Sequence, residues 1–178
     1  MSSSTFHAKA GFELGLSSVG KSTLGTLLLW MPSTRMPERL EHANLCVHDI
    51  DAVVRFLKTA FPDFKIRRDT TDPDGTRWVH VGSDETYIAL TQAKPEEARR
   101  GTPYKGRPGL NHLAYEVDDV EALRARLRAA GYRDSTVPNA HPYRKRIYFY
   151  DPEGNDWEFV QYLTDDPEKR HDYELPDR

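Results

Sequence analysis

The sequence predicts an α+β fold made of two tandem βαβββ modules. A strand-like stretch at 40–47 recurs at 109–117, and each copy carries a histidine at the matching place. A helix start follows each copy directly, and three further strand-like runs follow each helix. Recurrence of the whole order indicates a duplicated unit rather than one irregular domain.

The first module is assigned to residues 37–92. Its helix start covers 48–57, and Asp49 is a suitable N-cap because its carboxylate can accept unpaired backbone N–H groups. Its later strands are predicted at 64–68, 76–81 and 86–92. Aligning the modules matches Val79 with Tyr148, so Trp78 and His80 are expected to face the helices as core residues.

The second module is assigned to residues 109–163, after a linker at 93–108 that is rich in charge, Pro and Gly. Its helix start covers 118–127, with Asp118 as N-cap, and Gly131 is well placed to end the helix. Its later strands are predicted at 132–137, 144–150 and 157–163. Residues 164–178 are interpreted as a polar C-terminal tail.

Residues 1–36 show neither strand nor helix periodicity and are predicted to be a poorly ordered extension outside the fold. Within them, Gly15 to Ser22 match the phosphate-loop pattern G-x-x-x-x-G-K-[ST]. Such a loop needs a buried strand before it and a parallel sheet after it, which the repeat leaves no room for. Nucleotide hydrolysis is therefore not expected.

Composition narrows the class of partner. The chain has 25 Lys and Arg against 28 Asp and Glu, for a net charge of -3, which argues against a nucleic-acid partner. The single Cys46 allows no internal disulfide, and no apolar stretch approaches the length of a membrane span. We therefore expect a cytoplasmic protein with a small-molecule substrate and no membrane partner, and leave a homodimer open.

Three residues are candidate metal ligands: His42, His112 and Glu158. Imidazole and carboxylate suit Mn, Fe and related divalent ions, and two His with one carboxylate leave coordination positions open. A single His on a strand is more often a core residue, and a single strand Glu more often faces solvent. Because the His recurs at equivalent positions of two strands, we favour the metal interpretation.

The stretch 40–163, with both strand histidines and the turn and strand at 151–158, resembles the vicinal oxygen chelate superfamily. That superfamily includes glyoxalase I, type I extradiol dioxygenases, fosfomycin-resistance enzymes and bleomycin-binding proteins. The resemblance implies a curved mixed sheet around one metal ion, with the helices outside. Glyoxalase I has a second carboxylate ligand, but the aligned position here is Ala89, so the pattern is that of the extradiol and fosfomycin-resistance enzymes.

The resemblance implies a dioxygenase-like oxidoreductase acting on a catechol-like or other vicinal-oxygen substrate. Tyr148, on the strand before Glu158, would assist oxygen chemistry, and His141 would move a proton. Fe(II) or Mn(II) is favoured, while Zn, Ni and Co also accept these ligands. The alternatives are a glyoxalase-like lyase or isomerase, a fosfomycin-type transferase, and a non-catalytic bleomycin-type binding protein.

Overall fold

A computed structural model describes residues 38–98, 101–105 and 108–175. The predicted extension at 1–36, with its phosphate-loop pattern, lies outside these residues. In chain order the elements are β1 (His42–Val47), α1 (Ile50–Ala60), β2 (Lys65–Thr71), β3 (Arg77–Gly82), β4 (Tyr87–Gln92), β5 (His112–Glu116), α2 (Val120–Ala129), β6 (Arg133–Asp134), β7 (Arg144–Tyr150), β8 (Asp156–Tyr162) and α3 (Pro167–Arg170).

The strands form two four-stranded mixed sheets with the same topology. Their orders are β1-β4-β3-β2 and β5-β8-β7-β6, and in each the first strand pairs in parallel with the last. A helix joins the first strand of each sheet to the remaining, antiparallel strands. The predicted fold class, two tandem βαβββ modules, is therefore confirmed.

Helix ends follow capping chemistry. Asp49 caps α1 by accepting a hydrogen bond from the Ala52 N–H at 2.8 Å. The cap of α2 is Asp119, which accepts from two backbone N–H groups at 3.0 Å, so the predicted cap Asp118 is off by one residue. Gly131, at φ +83, lets the Tyr132 N–H turn back to the Leu127 carbonyl and ends α2 as predicted.

The two modules share one hydrophobic core on the helix side of the sheets. Phe56 of α1 packs edge-on against Tyr132 and lies 5.9 Å, centroid to centroid, from Trp157 of β8. Arg126 of α2 donates to the Ala60 carbonyl at the end of α1 at 2.9 Å. Burial on this side leaves the opposite sheet faces for polar side chains.

The strand register corrects one prediction about these faces. His80 pairs with Ala89, just as Tyr148 pairs with Glu158, so His80, not Val79, is the equivalent of Tyr148. Val79 is fully buried in the core, whereas His80 and Trp78 lie on the opposite face. A one-residue error in alignment moves every side chain of a strand to the other face.

Two segments differ in length from their predictions. The strand predicted at 132–137 is only Arg133–Asp134, because beyond it the Tyr148 N–H donates to the Thr136 hydroxyl at 2.9 Å rather than to a backbone carbonyl. The predicted polar tail contains α3, where Arg170 pairs with Glu116 at 2.7 Å. No helix in the described ranges is long and apolar enough to cross a bilayer.

Candidate metal centre

His112 and Glu158 converge on the sheet face opposite the helices. His112 begins β5, and Glu158 lies in the middle of the neighbouring β8, across from Ala114. The His112 Nε2 and Glu158 Oε2 atoms are 3.0 Å apart, and the Glu158 side chain is only 9% exposed. A largely buried carboxylate beside an imidazole nitrogen is a donor set that suits a divalent cation.

Tyr104 bridges His112 to a second carboxylate. Its hydroxyl lies 2.8 Å from His112 Nδ1 and donates to Asp156 Oδ2 at 3.1 Å. Burial, followed by the nearby Asp156 charge, raises the pKa of Tyr104 to about 12, so the phenol stays protonated at neutral pH. Sequence reasoning missed Tyr104 because it lies in the aperiodic linker, where being the only aromatic residue was its one signal.

Tyr148 lies directly across β7 and β8 from Glu158 and hydrogen-bonds to its carboxylate. Its ring meets the His112 ring edge-on, with centroids 5.8 Å apart. Burial first, then the bond to Glu158, raise the pKa of Tyr148. The phenol therefore remains a hydrogen-bond donor next to the His112 and Glu158 pair.

Positive charge adjoins the pair along β7. The Arg146 guanidinium lies 3.9 Å from Glu158 Oε1. Arg144 shares that face of β7 and donates to the Arg170 carbonyl of α3 at 3.1 Å. Guanidinium groups beside the His112 and Glu158 side chains would attract a ligand that carries an anionic group.

His141 is buried beside Tyr143, just before β7. It is 4% exposed, and its Nδ1 accepts a hydrogen bond from the Tyr143 N–H at 3.2 Å. The neutral ring therefore carries its proton on Nε2, which has no hydrogen-bond partner among the described residues. Its hydrogen bond and its ring contact within the described residues are both with Tyr143, and neither is with His112 or Glu158.

His42 is not grouped with the other two predicted ligands within one chain. Its ring stacks on Tyr87 at 4.8 Å, its Nδ1 contacts Glu41, and its side chain is 44% exposed. Within 38–98, 101–105 and 108–175, no three His, Cys, Asp or Glu side chains group as a metal site would require. Ala89 pairs with Asn44, so the position equivalent to Glu158 offers only a methyl group.

A cavity of about 820 Å³ opens beside His112. Its walls include Cys46 of β1, Tyr104 of the linker, His112 of β5 and Glu153 of the turn before β8. The volume falls in the range of small-molecule sites, and of the pair only His112 lines this cavity, whereas Glu158 does not.

Comparison with known proteins points to one family. Residues 39–159 match the model of the Glyoxalase/Bleomycin resistance protein/Dioxygenase superfamily. An ethylmalonyl-CoA/methylmalonyl-CoA epimerase from Cereibacter sphaeroides is 28% identical over 123 residues, which span 64% of this chain and 88% of the epimerase.

Solved structures show the same fold. The fosfomycin resistance protein FosX from Listeria monocytogenes superposes with a TM-score of 0.59 at 20% identity, covering 76% of this chain and 99% of FosX. Glyoxalase I from Leishmania major superposes with a TM-score of 0.55 at 22% identity, covering 70% of this chain and 86% of that enzyme. A glutamate-to-glutamine mutant of the Listeria FosX, similar at 20% identity and TM-score 0.54 over 77% of this chain and 100% of that one, was solved with Mn(II) and 1S,2S-dihydroxypropylphosphonic acid.

Proposed function

The chain belongs to the glyoxalase/bleomycin resistance protein/dioxygenase superfamily, and we propose that it is a divalent-metal-dependent enzyme. Its substrate would be a small anionic molecule that presents two neighbouring oxygen atoms. The observation that carries the proposal is the 3.0 Å approach of His112 Nε2 to the buried Glu158 carboxylate. An imidazole and a carboxylate on one side of an ion leave its other coordination positions open for substrate.

His42, His112 and Glu158 would hold one ion, with His42 supplied by a second copy of the chain in a homodimer. His42 occupies in β1 the position that His112 occupies in β5, yet it is not grouped with the pair in one chain. Its exposed ring is available to a partner. Mn(II) or Fe(II) is favoured, and Zn, Ni and Co accept the same ligands.

When bound, the ion would supply Lewis-acid chemistry, polarising a substrate oxygen. Side chains of the protein would bind the substrate and transfer protons. Tyr148, whose one hydroxyl hydrogen now goes to Glu158, would donate it to a substrate oxygen when Glu158 holds the ion. Arg146, 3.9 Å from Glu158, would attract the anionic group of the substrate. His141 remains a candidate proton carrier through its Nε2–H, which has no hydrogen-bond partner in the described part of the chain.

We favour an oxygen-independent reaction of the lyase, isomerase or transferase kind. The named relatives include an epimerase, glyoxalase I and FosX, the last solved with Mn(II) and a phosphonic acid that carries a vicinal diol. Arg146 beside the pair is consistent with substrates that carry a carboxylate or phosphonate.

A dioxygenase is the second candidate, and Tyr148 favours it. A phenol across from the metal carboxylate is the feature that made the extradiol pattern the leading expectation from sequence. In that reaction Tyr148 would hydrogen-bond an oxygen species rather than an anionic intermediate of the substrate.

Turnover with and without oxygen separates the two. The protein, loaded anaerobically with Mn(II) or Fe(II), would be assayed with methylmalonyl-CoA and fosfomycin under argon, and with a catechol panel in an oxygen electrode. Oxygen-independent turnover supports our proposal. Oxygen uptake with a catechol, without turnover under argon, would replace it with the dioxygenase. A wild-type protein that binds no divalent ion would contradict both.

A further inference from the structure

Tyr104 has an unusual place in the fold. It lies on the linker between the modules rather than on either sheet, and at φ 65 it is the one non-glycine residue with positive φ in the described ranges. Such a conformation is unfavourable for a non-glycine residue, so it persists where surrounding contacts impose it. Here the side chain of Asn111, next to His112, accepts the Tyr104 N–H at 3.0 Å.

The Tyr104 hydroxyl has two partners and one hydrogen. Asp156 Oδ2 lies at 3.1 Å and can only accept, and it competes with His112 Nδ1 at 2.8 Å for that hydrogen. A carboxylate is the stronger acceptor, so the phenol donates to Asp156. Its oxygen is then left to accept from an N–H at His112 Nδ1.

Asp156 is itself fixed. It is buried, and its other oxygen accepts from the Ser135 hydroxyl at 2.8 Å. The chain of donors thus runs in one direction, from His112 through Tyr104 to Asp156. With a proton on Nδ1, Nε2 and Glu158 Oε2, 3.0 Å apart, are both lone-pair donors, an arrangement that is favourable when one cation binds the two atoms.

We infer that Tyr104 is a positioning residue that keeps His112 protonated on Nδ1, so that Nε2 is presented as a metal ligand. This inference rests on the proposed metal site, and it adds a function for the linker: the segment that joins the modules also orients the ligand of the second. Removing a partner of this kind typically lowers metal affinity about 10–100-fold.

The test compares four forms of the full-length protein: wild type, Tyr104→Phe, Asp156→Asn and the control Tyr132→Phe. Tyr132→Phe also removes one phenolic hydroxyl, but from a ring that packs on Phe56 in the core. Mn(II) affinity is measured by electron paramagnetic resonance titration. The protonation of the His112 ring nitrogens is read from long-range ¹H–¹⁵N spectra of metal-free and Zn(II)-loaded protein, with circular dichroism to check folding.

We expect Tyr104→Phe to bind Mn(II) at least about tenfold more weakly than wild type, with the control unchanged. In Asp156→Asn, Ser135 still donates to the amide oxygen, so the amide N–H₂ faces Tyr104 and reverses the chain. The phenol then turns its hydrogen toward Nδ1, so the Nδ1–H of His112 in the Zn(II)-loaded variant loses its acceptor and its proton signal should shift from the wild-type position. That Nδ1–H signal distinguishes repositioning from simple loss of a negative charge.

Wild-type affinity and unchanged His112 nitrogen signals in Tyr104→Phe would overturn the inference and leave the metal site standing. A wild-type protein that binds neither Mn(II) nor Zn(II) would instead overturn the proposed function, and this inference with it.

Discussion

Glu153 and His48 join the two modules: the His48 N–H donates to Glu153 Oε2 at 3.0 Å, across 105 positions of sequence. The other Glu153 oxygen accepts the Asp49 N–H at 3.2 Å, and the Glu153 side chain is only 7% exposed. A turn of the second module thereby binds the N-terminal end of α1, where unpaired N–H groups and the helix dipole favour an anion.

Glu153→Gln should destabilise the fold. The amide keeps one acceptor oxygen, and its N–H₂ group would face a backbone donor, so a buried hydrogen bond is lost. The expected decrease in the free energy of unfolding is about 1–3 kcal/mol, measured by urea denaturation. Glu174→Gln, on an exposed residue of the tail, is the matched control and should change nothing. Equal stability of the two variants would show that the Glu153 contacts contribute little.

Tyr148→Phe should retain metal and lose turnover. The phenol hydrogen-bonds to Glu158 and, in the proposed reaction, donates to a substrate oxygen, so its loss should lower kcat about 100-fold with the substrate that proves active. Tyr132→Phe serves as control, because that ring lies on the helix side. Unchanged kcat in Tyr148→Phe would assign the residue a packing role only.

Mixed dimers test where His42 acts. If His42 of one copy joins His112 and Glu158 of the other, neither His42→Ala nor Glu158→Gln homodimers should be active. A heterodimer of the two variants would combine both defects in one site and leave the other site intact. Mixed, refolded protein should therefore regain activity and metal binding at one site per heterodimer. No recovery, with heterodimers demonstrated by native mass spectrometry, would place the three ligands within one chain. Full activity of the His42→Ala homodimer would remove His42 from the site.

Metal should stabilise the folded protein. Mn(II) at a free concentration of 100 times its dissociation constant should raise the free energy of unfolding by about 2.7 kcal/mol, because it binds the folded state only. A chelator should reverse the shift, and Glu158→Gln should not show it. A shift of the same size in Glu158→Gln would indicate binding elsewhere on the chain.

The fold could be predicted from sequence because its signals are local and occur twice. Alternating strand patterns and the capping residue Asp49 carry their meaning within a few positions. Two predictions were wrong by one residue. The cap of α2 is Asp119 rather than Asp118, and His80 lies on the polar face of β3 rather than in the core.

The candidate site was only partly predictable. His112 and Glu158 lie on adjacent strands of one module, so repetition and alternation were enough to bring them together. Tyr104 reaches His112 from an aperiodic linker, and the location of His42 depends on how modules pack with one another. Neither relationship leaves a periodic signal in the sequence.

Metal content after native purification tests the central claim most directly. We predict one divalent ion per wild-type chain by elemental analysis and native mass spectrometry, and none in Glu158→Gln. Glu116→Gln is the control, because Glu116 lies on the same face of β5 as His112 but pairs with Arg170. This variant should retain the ion. A metal-free wild type that cannot be loaded with Mn(II), Fe(II) or Zn(II), or a Glu158→Gln variant with full metal content, would contradict the account.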